Sequence, residues 1–116
     1  MPARHPYQRG DVVLVPLPFS SGLGDKVRPA VVISTDIYHA DWNELLLVEV
    51  TSQPPQTLRP TDCELLDWQS AGLNRPSWAR AGLAKVIYRH IQQRVGSLTA
   101  RDFRALEDCL RVALGF

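Results

Sequence analysis

Three β-branched, almost continuously apolar runs constrain this chain more than any other feature: GDVVLVPLP (residues 10–18), RPAVVIS (28–34) and ELLLVEVT (44–51). Each is too short for a typical helix, rich in Val, Ile and Leu, and bounded by turn residues, so each reads as a strand. The nearly unbroken apolar character of the second and third predicts that both faces of their sheet are covered. The prolines of the first put its far end at an edge or turn. Between the first two lies FSSGLGDKV (19–27), with Gly22 and Gly24 as expected positive-φ positions. That loop is longer than a tight hairpin requires, which marks it as a mobile or binding loop.

The rest of the chain continues the pattern. SQPPQTLRP (52–60) is a turn-rich connection, DCELL (62–66) a short fourth strand and AGLNRP (71–76) another loop. Residues 77–89 form a long strand with a bulge or bend at Gly82. VGSLT (95–99) then leads into a helix. Thr99 is its N-cap, with Asp102 three residues on as a short version of the capping box. Phe103, Leu106, Leu110 and Ala113 recur on one helical face, and Gly115 marks the stop. Several strands followed by one capped helix predict a mainly β fold, a small barrel or curled sheet with the helix laid against it.

At 116 residues, the chain is expected to be a single domain spanning 1–116 with one hydrophobic core. No apolar run approaches the ~20 residues of a membrane helix, and residues 1–9 carry no apolar signal-peptide core. The expected location is the cytoplasm, away from membranes. Cys63 and Cys109 are isolated and read as small apolar residues. His5, His39 and His90 have no metal-ligand spacing, so neither a metal nor a cofactor is expected. The net charge of +1 conceals a segregation: residues 36–67 hold seven acids and one Arg or Lys (Arg59). Residues 68–101 hold six cations (Arg75, Arg80, Lys85, Arg89, Arg94, Arg101) and no acid. Such a basic stretch is expected to attract a polyanion.

Two places carry side chains with chemical potential. Arg28 follows the Gly-containing loop and precedes Pro29, which pushes it toward an extended conformation at a strand mouth. On pattern alone it reads more readily as an exposed arginine at a strand start. Thr51, Ser52 and Gln53 place three hydrogen-bonding side chains at the end of the third strand, although a strand-favouring Thr and a Ser-Gln-Pro turn explain them more simply. Phe19, at the loop base, is either a base-stacking residue or, more simply, a buried plug. Trp42, Trp68 and Trp78 read as core or subunit-interface residues rather than base platforms.

Taken together, GDVVLVPLPFSSGLGDKVRPAVVIS (10–34) and ELLLVEVTSQ (44–53) resemble the MazF/PemK family of endoribonuclease toxins. SWARAGLAKVIYRHIQQRVGSLTARDFRALEDCLRVALG (77–115) is similar to that family's last long strand, G-x-L turn and C-terminal helix. The resemblance implies a small SH3-like β-barrel that forms a homodimer, is neutralised by a cognate antitoxin, and cuts single-stranded RNA without a metal or cofactor. It further implies attack of a ribose 2′-OH on the adjacent phosphate, leaving a 2′,3′-cyclic phosphate and a 5′-OH. The family's catalytic arginine falls on Arg28 and its hydroxyl residue on Thr51. Phe19, Ser52, Gln53, Ser77, Arg80 and Lys85 are the candidate RNA-binding residues.

Some members of the family carry an Arg-x-Asp pair in the long strand, where this chain has Arg80-Ala81-Gly82. The arginine is present and the acid is missing, and residues 68–101 offer no local substitute. Two other readings accompany the resemblance. Some relatives with this fold act on DNA gyrase by contact, and a decayed member would bind RNA or antitoxin without cutting. A regular long strand would put Arg80 and Lys85 on opposite faces, whereas a one-residue bulge at Gly82 would bring them onto one. That arrangement would give a continuous phosphate track with Arg28.

Overall fold

The computed structural model describes residues 6–18, 25–41 and 43–116. In chain order it contains β1 (Asp11–Pro18), β2 (Asp25–Val32), α1 (Asp36–Asp41), β3 (Glu44–Thr51), β4 (Asp62–Leu65), β5 (Ser77–Ile87), β6 (Gln93–Ser97) and α2 (Ala100–Leu114). A single 3-10 turn, Tyr88–His90, joins β5 to β6. The strands form one six-stranded sheet in the order β4-β5-β3-β2-β1-β6, every neighbouring pair antiparallel.

The sheet curls until its two margins meet. The turn after β4 crosses β6 so closely that a Cβ on Gly96 would run into the Ala71 carbonyl, and one on Gly72 into that of Val95. Gly72 also has φ +85°, a conformation that side chains disfavour. This backbone-to-backbone approach gives a half-barrel, the curled sheet expected from the pattern of strands.

Both faces of the curled sheet are packed. Val12, Val31, Val48, Val50, Cys63 and Leu65 join Leu106 and Leu110 of α2 on one face. Val13, Val15, Leu17, Ala30, Val32, Leu45 and Leu47 join Val86 and Ile91 on the other. The nearly continuous apolar strands follow from this two-sided burial. The β3 boundaries coincide with those read from the sequence, while β2 begins earlier, at Asp25. β6 and α1 were not anticipated: QRVGS is largely polar and exposed, as suits an edge strand. Trp68 packs against the helix-side core, as expected. Cys63 and Cys109 are free thiols, and burial, with Cys109 beside it, pushes Cys63 up to about 12. Cys63 is therefore an inert core residue at neutral pH. Among the described residues, no helix is long and apolar enough to cross a membrane.

The helix is tied to the sheet by a polar cluster at its N-terminus. Thr99 is the N-cap, accepting from the Asp102 N–H and donating to the Asp67 carboxylate at 2.6 Å. Asp102 does not complete a capping box. Its carboxylate is buried and accepts from the backbone N–H groups of Leu66 at 3.0 Å and Asp67 at 2.8 Å, closing the turn that leaves β4. Arg101 holds Asp67 through two hydrogen bonds, of 2.7 and 2.6 Å. Arg101 chiefly, with Thr99, keeps the Asp67 carboxyl down at about 2. The expected apolar face is also corrected at one position: Leu106 and Leu110 are buried and Phe103 partly so, but Ala113 is exposed. Gly115 closes the helix with φ 80°, as expected.

Asp102→Ala leaves two part-buried N–H groups without their acceptor and is expected to cost about 3 kcal/mol of stability. Thr99→Ala loses a cap and is expected to cost about 1 kcal/mol. Urea unfolding of both variants measures the difference, and equal losses would remove the anchoring role assigned to Asp102.

Candidate functional site

Strand alternation and register decide which polar residues meet. Arg28 pairs with Val15, whose side chain belongs to the core opposite the helix, so Arg28 lies on that face. Glu49 pairs with Ala30 of β2 and with Arg80 of β5, and Thr51 pairs with Trp78. Two positions beyond the Ala30–Glu49 pair, Arg28 and Thr51 stand on the same face of adjoining strands. β4 extends both rows, with Asp62 opposite Arg80 and Glu64 opposite Trp78. Arg28, Glu49, Thr51, Trp78 and Arg80 therefore share one face, drawn from β2, β3 and β5.

The β3–β5 pairing contains the decisive irregularity. Val48 pairs with Leu83 but Glu49 pairs with Arg80, so Ala81 and Gly82 are both extruded from this ladder. Gly82 was expected to mark a bulge, and it does. The bulge holds two residues rather than one, however, which preserves the alternation across it. Lys85 pairs with Leu46 and Arg80 with Glu49, positions on opposite faces of β3. The continuous Arg80–Lys85 track is thereby corrected, and Lys85 instead meets Glu44 at 3.4 Å.

A cleft of about 240 Å³ lies beside this row, lined by Thr51, Gln53, Arg59, Asp62, Trp78 and Arg80 together with residues 54–57. The Thr51 hydroxyl accepts the Gln53 N–H at 3.2 Å, which leaves its own hydrogen available for donation. Ser52 and Gln53 are exposed. Asp62 closes the preceding turn, its carboxylate accepting from the Arg59 N–H at 3.1 Å. Burial pushes the Glu49 carboxyl above its ordinary 4.5, and the positive charges of Arg80 and then Arg28 hold it partly back. Among the described residues, no three His, Cys, Asp or Glu side chains converge as a metal-binding group.

The expected site residues divide accordingly. Arg28, Thr51 and Arg80 come together, with Ser52 and Gln53 at the strand end beyond them. Ser77 does not join them: it is buried, pairs with Leu65 of the helix-side core, and donates its hydroxyl to the Arg75 carbonyl at 2.8 Å. Phe19 and Trp42 lie outside the described residues, as does most of the Gly22–Gly24 loop. Glu49 and Trp78 were missed. Each lies two residues from a recognised member, Thr51 or Arg80, and strand alternation carries that signal.

The unopposed basic stretch is also corrected. Lys85 pairs with Glu44, Arg94 with Asp11 at 3.1 Å and Arg101 with Asp67, while Arg80 faces Glu49. Arg75 and Arg89 form no ion pair among the described residues.

A model of PemK-like, MazF-like toxins of type II toxin–antitoxin systems matches residues 8–114. No curated protein matches the chain significantly in sequence. Among solved structures, an endoribonuclease in complex with its cognate antitoxin from a mycobacterial species superposes with a TM-score of 0.79 at 17% identity, covering 95% of this chain and 96% of that one. The Mycobacterium tuberculosis toxin MazF-mt6 gives 0.74 at 16% identity, covering 91% and 97%. A MazE–MazF structure from Deinococcus radiodurans gives 0.73 at 18% identity, covering 97% and 99%. At these identities the likeness is one of fold.

The titration of Glu49 tests the geometry of this row. Its carboxyl resonance is expected to titrate above the ordinary 4.5. Arg80→Ala, by removing a positive neighbour, should raise the midpoint further. An ordinary midpoint unmoved by that substitution would separate Glu49 from Arg80.

Proposed function

The chain belongs to the PemK-like, MazF-like toxin family, and from that premise and the site's geometry we propose that it cleaves single-stranded RNA without a metal ion. The reaction is attack of a ribose 2′-OH on the adjacent phosphate, giving a 2′,3′-cyclic phosphate and a 5′-OH. One observation carries this reading: Arg28 and Thr51 lie on one face of adjoining strands, with Arg80 on the same face one strand further on.

The chemistry suits those side chains. Negative charge concentrates on the non-bridging oxygens of the pentacoordinate phosphorane, and a guanidinium held on a strand matches it with planar, charge-assisted hydrogen bonds. The Thr51 hydroxyl, one lone pair occupied by the Gln53 N–H, donates a further hydrogen bond to the same oxygens. Arg28 acts as an electrostatic stabiliser, since an arginine is almost never neutral. Arg80 holds a phosphate of the substrate strand, and Trp78, half-buried at the cleft, offers an edge or face to a base. The active form is a homodimer, and a cognate antitoxin restrains it by covering this surface.

Purified protein incubated with a mixed RNA pool in EDTA is expected to produce fragments with 2′,3′-cyclic phosphate and 5′-OH ends. Arg28→Ala should lower the rate about a thousandfold and Thr51→Ala about a hundredfold, with unchanged folds. Intact RNA under these conditions, or full activity in Arg28→Ala, would overturn the reading.

The opposed placement of Arg80 and Lys85 gives a second test. With a 2′-O-methylated RNA that resists cleavage, Arg80→Gln should reduce the magnitude of the log–log salt slope by about 0.7, one phosphate contact. Lys85→Gln should leave the slope unchanged. The reverse result would move the RNA path to the other face.

A further inference from the structure

The register of the central strands supplies what the long strand lacks. An acid is absent two residues beyond Arg80, where Gly82 stands. Without the bulge, the ladder running Val48–Leu83 would place Glu49 opposite Gly82. Extruding Ala81 and Gly82 instead sets Glu49 opposite Arg80. A carboxylate thus stands opposite the arginine, on the neighbouring strand.

Resting on the reading of this site as an RNA-cleaving one, we propose that Glu49 is the general base of the reaction, taking the proton of the attacking 2′-OH. Glu49 lies two residues before Thr51 on the same face, and its other neighbouring strand carries Arg28. The charged groups facing it are Arg28 from β2, Arg80 from β5 and, across Arg80, Asp62 from β4. Asp62 is committed to the turn at Arg59, whereas Glu49 is the acid placed between the two arginines that bracket the phosphate. No arginine in the row can accept a proton from a ribose hydroxyl. Partial burial raises the Glu49 carboxyl above its ordinary value, toward the operating pH, where a base is most effective.

The step balances without a co-reactant. The 2′-oxygen forms a bond to phosphorus as its proton passes to a Glu49 carboxylate oxygen. The bond from phosphorus to the 5′-oxygen breaks, and the departing oxygen takes a proton from water. Glu49 then returns its proton to solvent.

The experiment is the pH–rate profile of wild type, Glu49→Gln and Glu49→Asp on one RNA, repeated with a 5′-bridging phosphorothiolate whose sulfur departs without protonation. Wild type should rise with pH through the Glu49 titration and then level. Glu49→Gln should lose that rising limb and fall about 10²–10⁴-fold on both substrates. Glu49→Asp should keep the limb at a lower rate. A limb persisting in Glu49→Gln, or a rate within a factor of three of wild type, overturns the proposal while leaving RNA cleavage intact. Rescue of Glu49→Gln by the phosphorothiolate also overturns it, since it assigns Glu49 to the leaving group. Absence of cleavage by wild type would be a failure of the underlying reading, visible before any variant is made. Amide spectra of both variants check the fold, and a rate loss in Glu49→Gln accompanied by a collapsed spectrum leaves Glu49→Asp to decide through its limb.

Discussion

The antiparallel pairing of β3 with β5 is the constraint on which the candidate site depends. It joins a strand with an apolar centre and two acids to one that carries two cations, Arg80 and Lys85, and its register is set on both sides of a two-residue bulge. On one side, Leu45 and Leu47 pack with Val86 in the core. On the other, Glu49 and Thr51 meet Arg80 and Trp78. A shift of a single residue would turn every one of these side chains to the opposite face. A bulge of two leaves them in place and exchanges a glycine for an arginine across from Glu49.

The same pairing absorbs part of the charge segregation of the sequence. Three acids of residues 36–67 and three cations of 68–101 lie on strands and turns that face one another. Glu44 meets Lys85, Glu49 faces Arg80 and Asp67 holds Arg101. A linear separation of charge thus becomes local neutralisation in space. Most of these pairs are at least partly exposed and contribute little individually to stability. Their larger effect is to reduce the field that the basic stretch offers a polyanion along its length.

Much of the fold was legible because two-sided burial leaves a strong mark. GDVVLVPLP, RPAVVIS and ELLLVEVT admit few other structures, and Thr99 and Gly115 delimit α2 through hydrogen bonding and backbone conformation. β6 was illegible because an exposed edge strand needs no apolar pattern, and α1 because it is short and mostly exposed. Asp102 looked like part of a cap, yet its carboxylate serves the turn after β4, a partner 36 residues away in sequence. In the site, Arg28 and Thr51 were found by likeness to a family, while Ser77 and Lys85 were lost to register. Glu49 carried its own signal, an acid within an apolar strand two residues before Thr51. Its meaning depended on the size of a bulge that no local pattern specifies.

The proposed RNA path runs along the face shared by Arg28, Glu49, Thr51 and Arg80. Guanidinium and amide NMR of labelled protein, titrated with a short RNA methylated at the scissile 2′-oxygen, tests it most directly. RNA on this face should produce large shifts at the Arg28 and Arg80 side chains and at the Thr51 and Gln53 amides, with Lys85 and Glu44 unmoved. Shifts confined to Lys85, Arg89 and their neighbours, with Arg28 and Thr51 silent, would contradict it.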